Sequence, residues 1–200
     1  MEYILQLQRD KKLAKIITPP LPALELRKNV PLRLMASIMS QQLSTKVAKV
    51  IFKRFLDIYG GEEPVPQQVI DTQFDILRAI GLSNAKVNYV QNVARFCIDY
   101  DITDNKLLSL SNEEIIELLT QIKGVGKWTV EMLLMFTLAR EDVFAVDDLG
   151  IMQAMVKLYN IQIEDKKLLK EKMLKLSSKW KPYRTYACLH LWSWKDNEQQ

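Results

Sequence analysis

The chain has 200 residues, of which 48% are apolar, enough for the core of one globular domain or of two small lobes and too many for a disordered protein. Its net charge is +4 at pH 7, a mild basic excess that permits binding to a polyanion without demonstrating it. Two distant cysteines, Cys97 and Cys188, and a lone histidine exclude a disulfide scaffold, a metal-ligand framework and any site built from several imidazoles.

The hydropathy pattern bears on location. No apolar run approaches the roughly 18 residues of a membrane span, and the first residues are too polar for a signal peptide. We therefore expect a cytoplasmic protein with free thiols and no membrane partner, associated with the nucleoid if the source is prokaryotic.

Helical periodicity dominates the chain, and almost no stretch alternates as a strand would. Pro31 suits a first helical turn, Ser44 can cap the next helix, and Gly60-Gly61 ends it. The run Ser111-Asn112-Glu113-Glu114 is typical of a helix start, because the serine oxygen and the early carboxylates serve free amides. The predicted class is all-α. The predicted helices cover residues 32–39, 45–59, 69–79, 86–100, 111–122, 128–139, 149–159, 165–180 and 184–194.

The periodicity also predicts which apolar side chains are buried. Trp180 and Trp194 are expected to pack in the core, and His190 to be partly buried with its hydrogen bonds satisfied. The remaining predicted core positions on two of the helices are Val47, Val50, Ile51, Phe55 and Ile58, and Met132, Met135 and Phe136.

Between two of these helices lies the segment Lys123-Gly124-Val125-Gly126-Lys127, a Gly-x-Gly turn at which one helix stops and another begins at once. The glycines permit positive φ and leave no Cβ to obstruct an approaching surface. The free N–H groups at the start of the second helix, together with the positive end of its dipole, can hold a phosphate.

Two adjacent carboxylates, Asp147 and Asp148, follow about twenty residues later, before the helix predicted at 149–159. An aspartate at this position can act merely as a helix cap. A phosphate-binding turn followed by an acidic residue nevertheless suggests chemistry on a nucleic acid.

Four segments in this order resemble the helix-hairpin-helix (HhH-GPD) DNA glycosylases, and among them the alkyladenine (3-methyladenine) type II enzymes. The resemblance runs from about Pro31 to Trp194 and implies a single all-α domain with two lobes and the active site in a cleft between them. The middle lobe would cover about residues 31–127, and the second lobe about residues 1–30 and 128–200. The four segments begin at Ser40 (SQQLSTKVA), Ile122 (IKGVGKWT), Asp142 (DVFAVDDLG) and Trp180 (WKPYR, with Leu191-Trp192).

The resemblance implies base flipping, in which a damaged nucleotide is extruded from the duplex before its glycosidic bond is cut. It assigns the essential carboxylate to Asp148, directly before the Leu-Gly step, with Asp147 as the neighbour that could be mistaken for it. A carboxylate there can stabilise an oxocarbenium-like sugar and place a water molecule.

A cationic alkylated purine is attracted to electron-rich aromatic rings. Trp128 and Trp192 match positions that line the pocket in related enzymes, and the alternative for these two tryptophans is a place in the core. Tyr183 is a further, neighbouring candidate for the pocket.

The resemblance also implies that DNA is held by the backbone amides of Gly124 and Gly126, with Lys123 and Lys127 attracting phosphates. In relatives the carbonyls of this turn hold a monovalent cation. Gln42 and Ser44 match a loop that contacts the gap or the orphan base, although Ser44 is explained equally well as a helix cap.

Two absences sharpen the prediction. Strand-nicking relatives carry a nucleophilic lysine where this chain has Trp128, and some relatives hold an iron–sulfur cluster on four cysteines. The prediction is therefore a monofunctional hydrolase without lyase activity, cofactor or catalytic metal, acting as a monomer on double-stranded DNA with alkylated bases and needing no protein partner. The alternatives are a non-catalytic damaged-DNA-binding protein and a glycosylase for oxidised or mismatched bases.

Overall fold

The computed structural model describes residues 2–17 and 20–197, and these residues form helices, turns and loops without a strand. The all-α prediction is confirmed for this part of the chain. The chain divides into two compact units, residues 26–133 and residues 1–25 with 134–200, and the boundary at 133/134 falls inside one helix. The lobe ranges expected from the resemblance, 31–127 and the two chain ends, also include residues 1, 18, 19 and 198–200, which lie outside the described residues.

The middle unit, residues 26–133, is built from short helices around α6 (Asn84–Asp99), against which α2 (Val30–Ser40) and α4 (Pro66–Asp71) pack. Fully buried side chains from these helices, among them Met35, Val69 and Val90, form its core. The helices are α2 Val30–Ser40, α3 Thr45–Asp57, α4 Pro66–Asp71, α5 Phe74–Ala79, α6 Asn84–Asp99, α7 Asp104–Ser109, α8 Asn112–Leu119 and the start of α9 Lys127–Phe136.

Polar side chains set the starts of these helices, as the sequence predicts. The Ser44 hydroxyl accepts from the Val47 amide at 3.4 Å and caps α3. Ser111 and Glu114 form a complete capping box at the start of α8, since each side chain bonds the backbone N–H of the other residue. Ser44 is therefore a helix cap whatever else it contacts.

Two predictions for this unit are wrong. The helix expected at 69–79 is interrupted at Thr72, whose hydroxyl donates to the Gln68 carbonyl at 2.7 Å and competes with helix continuation. Val47 and Val50 on α3 are 45% and 44% exposed, while Ile51 and Phe55 are buried. The apolar stripe of α3 is wider than the surface available to cover it.

The second unit combines both chain ends. Its short segments are α1 (Glu2–Leu7) and the 3₁₀ turns Leu13–Ile16 and Ser178–Trp180. They contain too few residues to display a helical period, so the sequence did not reveal α1 or the turn Leu13–Ile16. The elements are α1 Glu2–Leu7, a 3₁₀ turn Leu13–Ile16, the end of α9, α10 Leu149–Tyr159, α11 Lys166–Ser177, a 3₁₀ turn Ser178–Trp180 and α12 Arg184–Asn197.

Asp10 anchors the N-terminal segment in this unit. Its carboxylate accepts from the Tyr159 hydroxyl at 2.6 Å and the Trp180 indole at 3.2 Å. Burial by itself would raise the pKa of Asp10, but these bonds and those from the Leu13 and Lys12 amides outweigh it and lower the pKa below its ordinary value. Trp180 is fully buried, which confirms its predicted packing role.

The loop between α9 and α10 is tied to the start of α12. Arg184 forms a bidentate ion pair with Asp142, with Nε 2.6 Å from Oδ1 and Nη2 3.0 Å from Oδ2. The Thr185 hydroxyl donates to the Arg140 carbonyl and accepts from the Val143 amide. These contacts hold the chain that leads into α10 against α12.

None of the helices in the ranges 2–17 and 20–197 is long and apolar enough to cross a membrane.

Candidate functional site

Asp148 stands at the N-terminus of α10, in the unit formed by the chain ends. Its Oδ1 accepts from the Ile151 amide at 2.8 Å, which makes it the cap of that helix. The same oxygen accepts from the Trp192 indole Nε1 on α12, also at 2.8 Å. Asp148 therefore caps α10 and also binds α12, because the indole of Trp192 donates to the same oxygen.

Gly150 lies directly against this contact. A Cβ at Gly150 would lie 3.1 Å from Asp148 Oδ1 and 3.1 and 3.2 Å from Cδ1 and Nε1 of Trp192. Those distances are shorter than ordinary van der Waals contact. Gly150 belongs to the sequence motif that begins at Asp142, but the motif does not predict its place against Asp148 and Trp192, because the helix alone does not require glycine there.

The structure distinguishes the two adjacent carboxylates. Asp147 is exposed and forms an ion pair with Lys170 of α11, whereas Asp148 is half-buried beside Trp192. A half-buried carboxylate held by two N–H donors suits stabilisation of a developing positive charge better than one that is already paired with a lysine. The geometry therefore favours Asp148 over Asp147.

Trp192 makes an aromatic contact with Phe136 of α9. Phe136 stacks on it with ring centroids 6.0 Å apart and is itself 40% exposed. The prediction that Phe136 is a core residue is therefore wrong, although Met135 is fully buried as expected. Phe136 continues an apolar face of α9, and the helical period of the sequence does not show whether another element covers that face.

Tyr183 does not lie beside Trp192. Tyr183 directly precedes α12 and Trp192 lies within it, nine positions further along the chain, a separation of roughly 13 Å along the axis of a regular helix. Tyr183 instead packs edge-on against Tyr3 and Tyr186, and its hydroxyl donates to Glu2. Its predicted place in the base pocket is not supported by this geometry.

In the middle unit, the hairpin turn carries one glycine that the backbone requires. The Val125 amide donates to the Ile122 carbonyl at 2.9 Å, and Gly124 has φ of +103° at the third position of this turn. A Cβ on Gly124 would lie 2.2 Å from Cγ of Tyr89, so no side chain fits. Asn92 also donates to the Lys123 carbonyl.

Gly126 differs from Gly124. It does not adopt positive φ, so of the two glycines in this turn Gly124 uses the conformational freedom that both permit. A Cβ there would meet no protein atom within 4 Å, because Gly126 is exposed directly ahead of α9. The bare backbone at Gly126 therefore faces open space at a helix N-terminus, the arrangement that an anion requires.

The two lysines that flank the turn are not equivalent. Lys123 is exposed. Lys127 lies 3.5 Å from the carboxylate of Glu131, one helical turn further along α9, and that carboxylate is almost completely buried. Since a buried carboxylate needs a cation nearby, part of the charge of Lys127 is committed within the protein. Lys123 is the better candidate for attracting a phosphate.

Trp128 borders a cavity of about 450 Å³ in the same unit, within the usual range for small-molecule sites. The indole is 39% exposed, which excludes a purely core role. The other residues that line the cavity are Ser37, Ser40, Gln41, Gln42 and Leu43. The structure thus brings Trp128 and Gln42 to the same cavity.

Lys86 binds the backbone of the loop that carries Gln42. The Lys86 ammonium donates to the carbonyls of Met39 and Gln41, at 2.9 Å and 2.6 Å, and burial lowers its pKa. Gln42 itself is exposed and adopts a left-handed conformation with φ of +59°. Sequence reasoning missed Lys86, because the contact spans more than forty residues and follows an unremarkable glycine turn.

His190 lies on α12, two positions before Trp192. It is buried, burial lowers its pKa, and its Nε2 has no hydrogen-bond partner among the residues that the structure describes. The expectation of a satisfied histidine is therefore wrong. Within residues 2–17 and 20–197, no three His, Cys, Asp or Glu side chains form a group that could hold a metal ion.

Comparisons with known proteins agree with these features. A family model described as "HhH-GPD superfamily base excision DNA repair protein" matches residues 35–180. The chain is 40% identical over 185 residues to DNA-3-methyladenine glycosylase 1 of Schizosaccharomyces pombe, covering 91% of this chain and 80% of that protein.

Two solved structures are also similar. The Schizosaccharomyces pombe 3-methyladenine DNA glycosylase in complex with abasic DNA superimposes with a TM-score of 0.83 at 37% identity, covering 96% of this chain and 95% of that one. A DNA-3-methyladenine glycosidase from Bacillus halodurans gives a TM-score of 0.83 at 32% identity, covering 97% and 88% of the two chains.

Proposed function

Because this chain belongs to the HhH-GPD superfamily of base excision DNA repair proteins, we propose that it is a monofunctional DNA glycosylase. Its reaction is hydrolysis of the N-glycosidic bond of alkylated purines, such as 3-methyladenine, in double-stranded DNA. The observation that carries this proposal is the half-buried Asp148, whose Oδ1 is held by donors from α10 and α12.

The chemistry follows from the substrate. An N-alkylated purine is cationic, so its bond to the sugar breaks with the electron pair leaving on the base, which departs neutral. The sugar becomes positively charged at the anomeric carbon, and the Asp148 carboxylate stabilises that charge and orients a water molecule. Water forms the new bond to the anomeric carbon and loses a proton to solvent, leaving an abasic site.

Aromatic rings recognise the base. Trp128 presents an exposed indole at the edge of its cavity, and a cationic purine gains both stacking and cation–π attraction from such a ring. Trp192 presents its ring beside Asp148 and Phe136. We assign no base contact to Tyr183, which packs among other tyrosines.

The duplex is held mainly by backbone amides. The exposed turn at Gly126 and the first turn of α9 offer N–H groups to a phosphate, and Lys123 adds attraction that salt weakens. Gln42, on its exposed left-handed turn, contacts the bases beside the flipped nucleotide. A monovalent cation at the turn carbonyls stays a prediction.

Absence of lyase activity is also part of the proposal. A strand-nicking enzyme needs an amine that can attack the sugar, and Trp128 occupies the corresponding position. The neighbouring Lys127 is directed to Glu131 on its own helix. A monomer acting in the cytoplasm, without a protein partner, is the simplest form of this function.

The proposal is tested by measuring free base released from methylated duplex DNA, with strand breakage followed in the same samples. We expect release of 3-methyladenine and intact strands that break only in alkali. Asp148→Asn should abolish release and keep DNA binding, because the amide preserves shape without charge. Asp147→Asn is the matched control and should stay active, since it loses only an exposed ion pair with Lys170.

Three results would contradict the proposal in different ways. Tight binding to damaged DNA without any release would indicate a damage-recognition protein. Breakage without alkali would show lyase activity. Full activity of Asp148→Asn would move the catalytic role to another residue.

A further inference from the structure

Trp192 and Gly150 carry a function that base stacking does not explain. We propose that Trp192 is a positioning residue for the catalytic carboxylate, acting through its indole N–H, and that Gly150 is required because it lets the indole approach. This inference rests on the proposed role of Asp148.

Two hydrogen bonds hold the carboxylate of Asp148 in position. Oδ1 of Asp148 accepts two N–H groups at 2.8 Å, one from Ile151 in α10 and one from Trp192 in α12. A capping bond alone ties the carboxylate to its own helix, whereas the second donor ties it to a separate element. Two donors on one oxygen fix the direction of the carboxylate, which a preorganised site needs.

Trp192 is itself held in place. Phe136 stacks against the ring, and the start of α12 is bound to the loop before α10 through Arg184 and Asp142. The indole has one N–H and no acceptor, so its orientation commits that donor to a single partner. Stacking on a base uses the ring face, while positioning uses the ring edge, and the two roles are separable by substitution.

Gly150 supplies the independent steric observation. Its φ is not positive, so the backbone does not demand glycine there, and alanine is the better helix former. A methyl group at this position would nevertheless lie within 3.2 Å of both Asp148 Oδ1 and Trp192 Nε1. A side chain at this position therefore presses on both partners of the Asp148–Trp192 hydrogen bond, and one of them must shift by a few tenths of an ångström.

The experiment measures single-turnover release of 3-methyladenine at increasing enzyme concentration, which yields a maximal rate and a half-saturating concentration. Trp192→Phe keeps an aromatic face and loses the N–H donor. We expect its maximal rate to fall by about 10- to 100-fold, the range for losing one hydrogen bond to a charged group, with the half-saturating concentration unchanged.

Two further variants sharpen the test. Trp194→Phe, on the same helix but beside Lys157, is the matched control and should behave as the wild type. Gly150→Ala should slow release in the same way while the melting temperature stays equal or rises, because the helix gains a better former and only the Asp148–Trp192 contact is disturbed.

The outcomes separate this inference from the proposed function. A Trp192→Phe enzyme as fast as the wild type, alongside an inactive Asp148→Asn enzyme, would overturn the positioning role and leave the catalytic one. A raised half-saturating concentration with an unchanged maximal rate would mean that Trp192 only stacks on the base. An active Asp148→Asn enzyme would remove the catalytic assignment itself. A fully active Gly150→Ala enzyme would overturn the steric role of Gly150.

Discussion

Replacing Gly124 by alanine should destabilise the hairpin through two additive effects. The backbone φ of +103° is unfavourable for any residue with a Cβ, at a cost of about 1–2 kcal/mol. The new Cβ would also lie 2.2 Å from Cγ of Tyr89, so the ring or the turn must move, and such overpacking costs about 1–3 kcal/mol. The expected loss is about 2–5 kcal/mol in the free energy of unfolding, a large part of the total for a typical domain.

Urea unfolding followed by circular dichroism measures this loss as a lower midpoint at unchanged slope. Tyr89→Ala and the double variant complete a thermodynamic cycle, and the double variant should recover the clash contribution, a coupling of about 1–3 kcal/mol. Gly126→Ala is the control, because its Cβ meets no protein atom, and its midpoint should change little. A Gly124→Ala midpoint equal to that of the wild type would refute the reasoning about both φ and the Tyr89 contact.

Three other predictions address binding and pH. Gly126→Ala should weaken binding to all duplex sequences alike in a fluorescence titration, and a change confined to base choice would contradict its phosphate role. Lys86→Met should lower DNA affinity by releasing the loop of Gln42 while leaving the secondary structure intact by circular dichroism; unchanged affinity would show that the loop holds itself. The free energy of unfolding should fall as the pH drops below 6.5, because His190 is protonated there in the unfolded chain, whereas burial lowers the pKa of His190 in the folded chain. His190→Leu should remove this dependence of stability on pH. The lowered pKa of Asp10 affects stability only below pH 3.8.

Local patterns were sufficient wherever a feature depends on neighbours in the chain. The helix predicted at 149–159 is α10, and the capping box at Ser111 forms with the partner expected from its spacing. Both depend on side chains within one or two helical turns. Short elements such as α7, of six residues, escaped because they do not contain enough residues to show a period.

Exposure was harder to predict than helicity. Phe136, Val47 and Val50 continue apolar faces, yet each is about two-fifths exposed because no other element covers that part of the helix. A hydrophobic period identifies the side of a helix that can be buried, and the extent of the covering surface comes from elements distant in sequence.

The sequence by itself determined the helical class, the turn that begins at Lys123 and the presence of a carboxylate at the start of α10, since residue type and short spacing govern these features. Only the tertiary structure decided that Trp192, forty-four residues away, donates to Asp148, that Lys86 supports the loop of Gln42, and that Gly150 lies against both Asp148 and Trp192. Contacts of this kind depend on how helices from distant parts of the chain pack, and no local pattern specifies which edge of an indole or which end of a lysine will meet its partner.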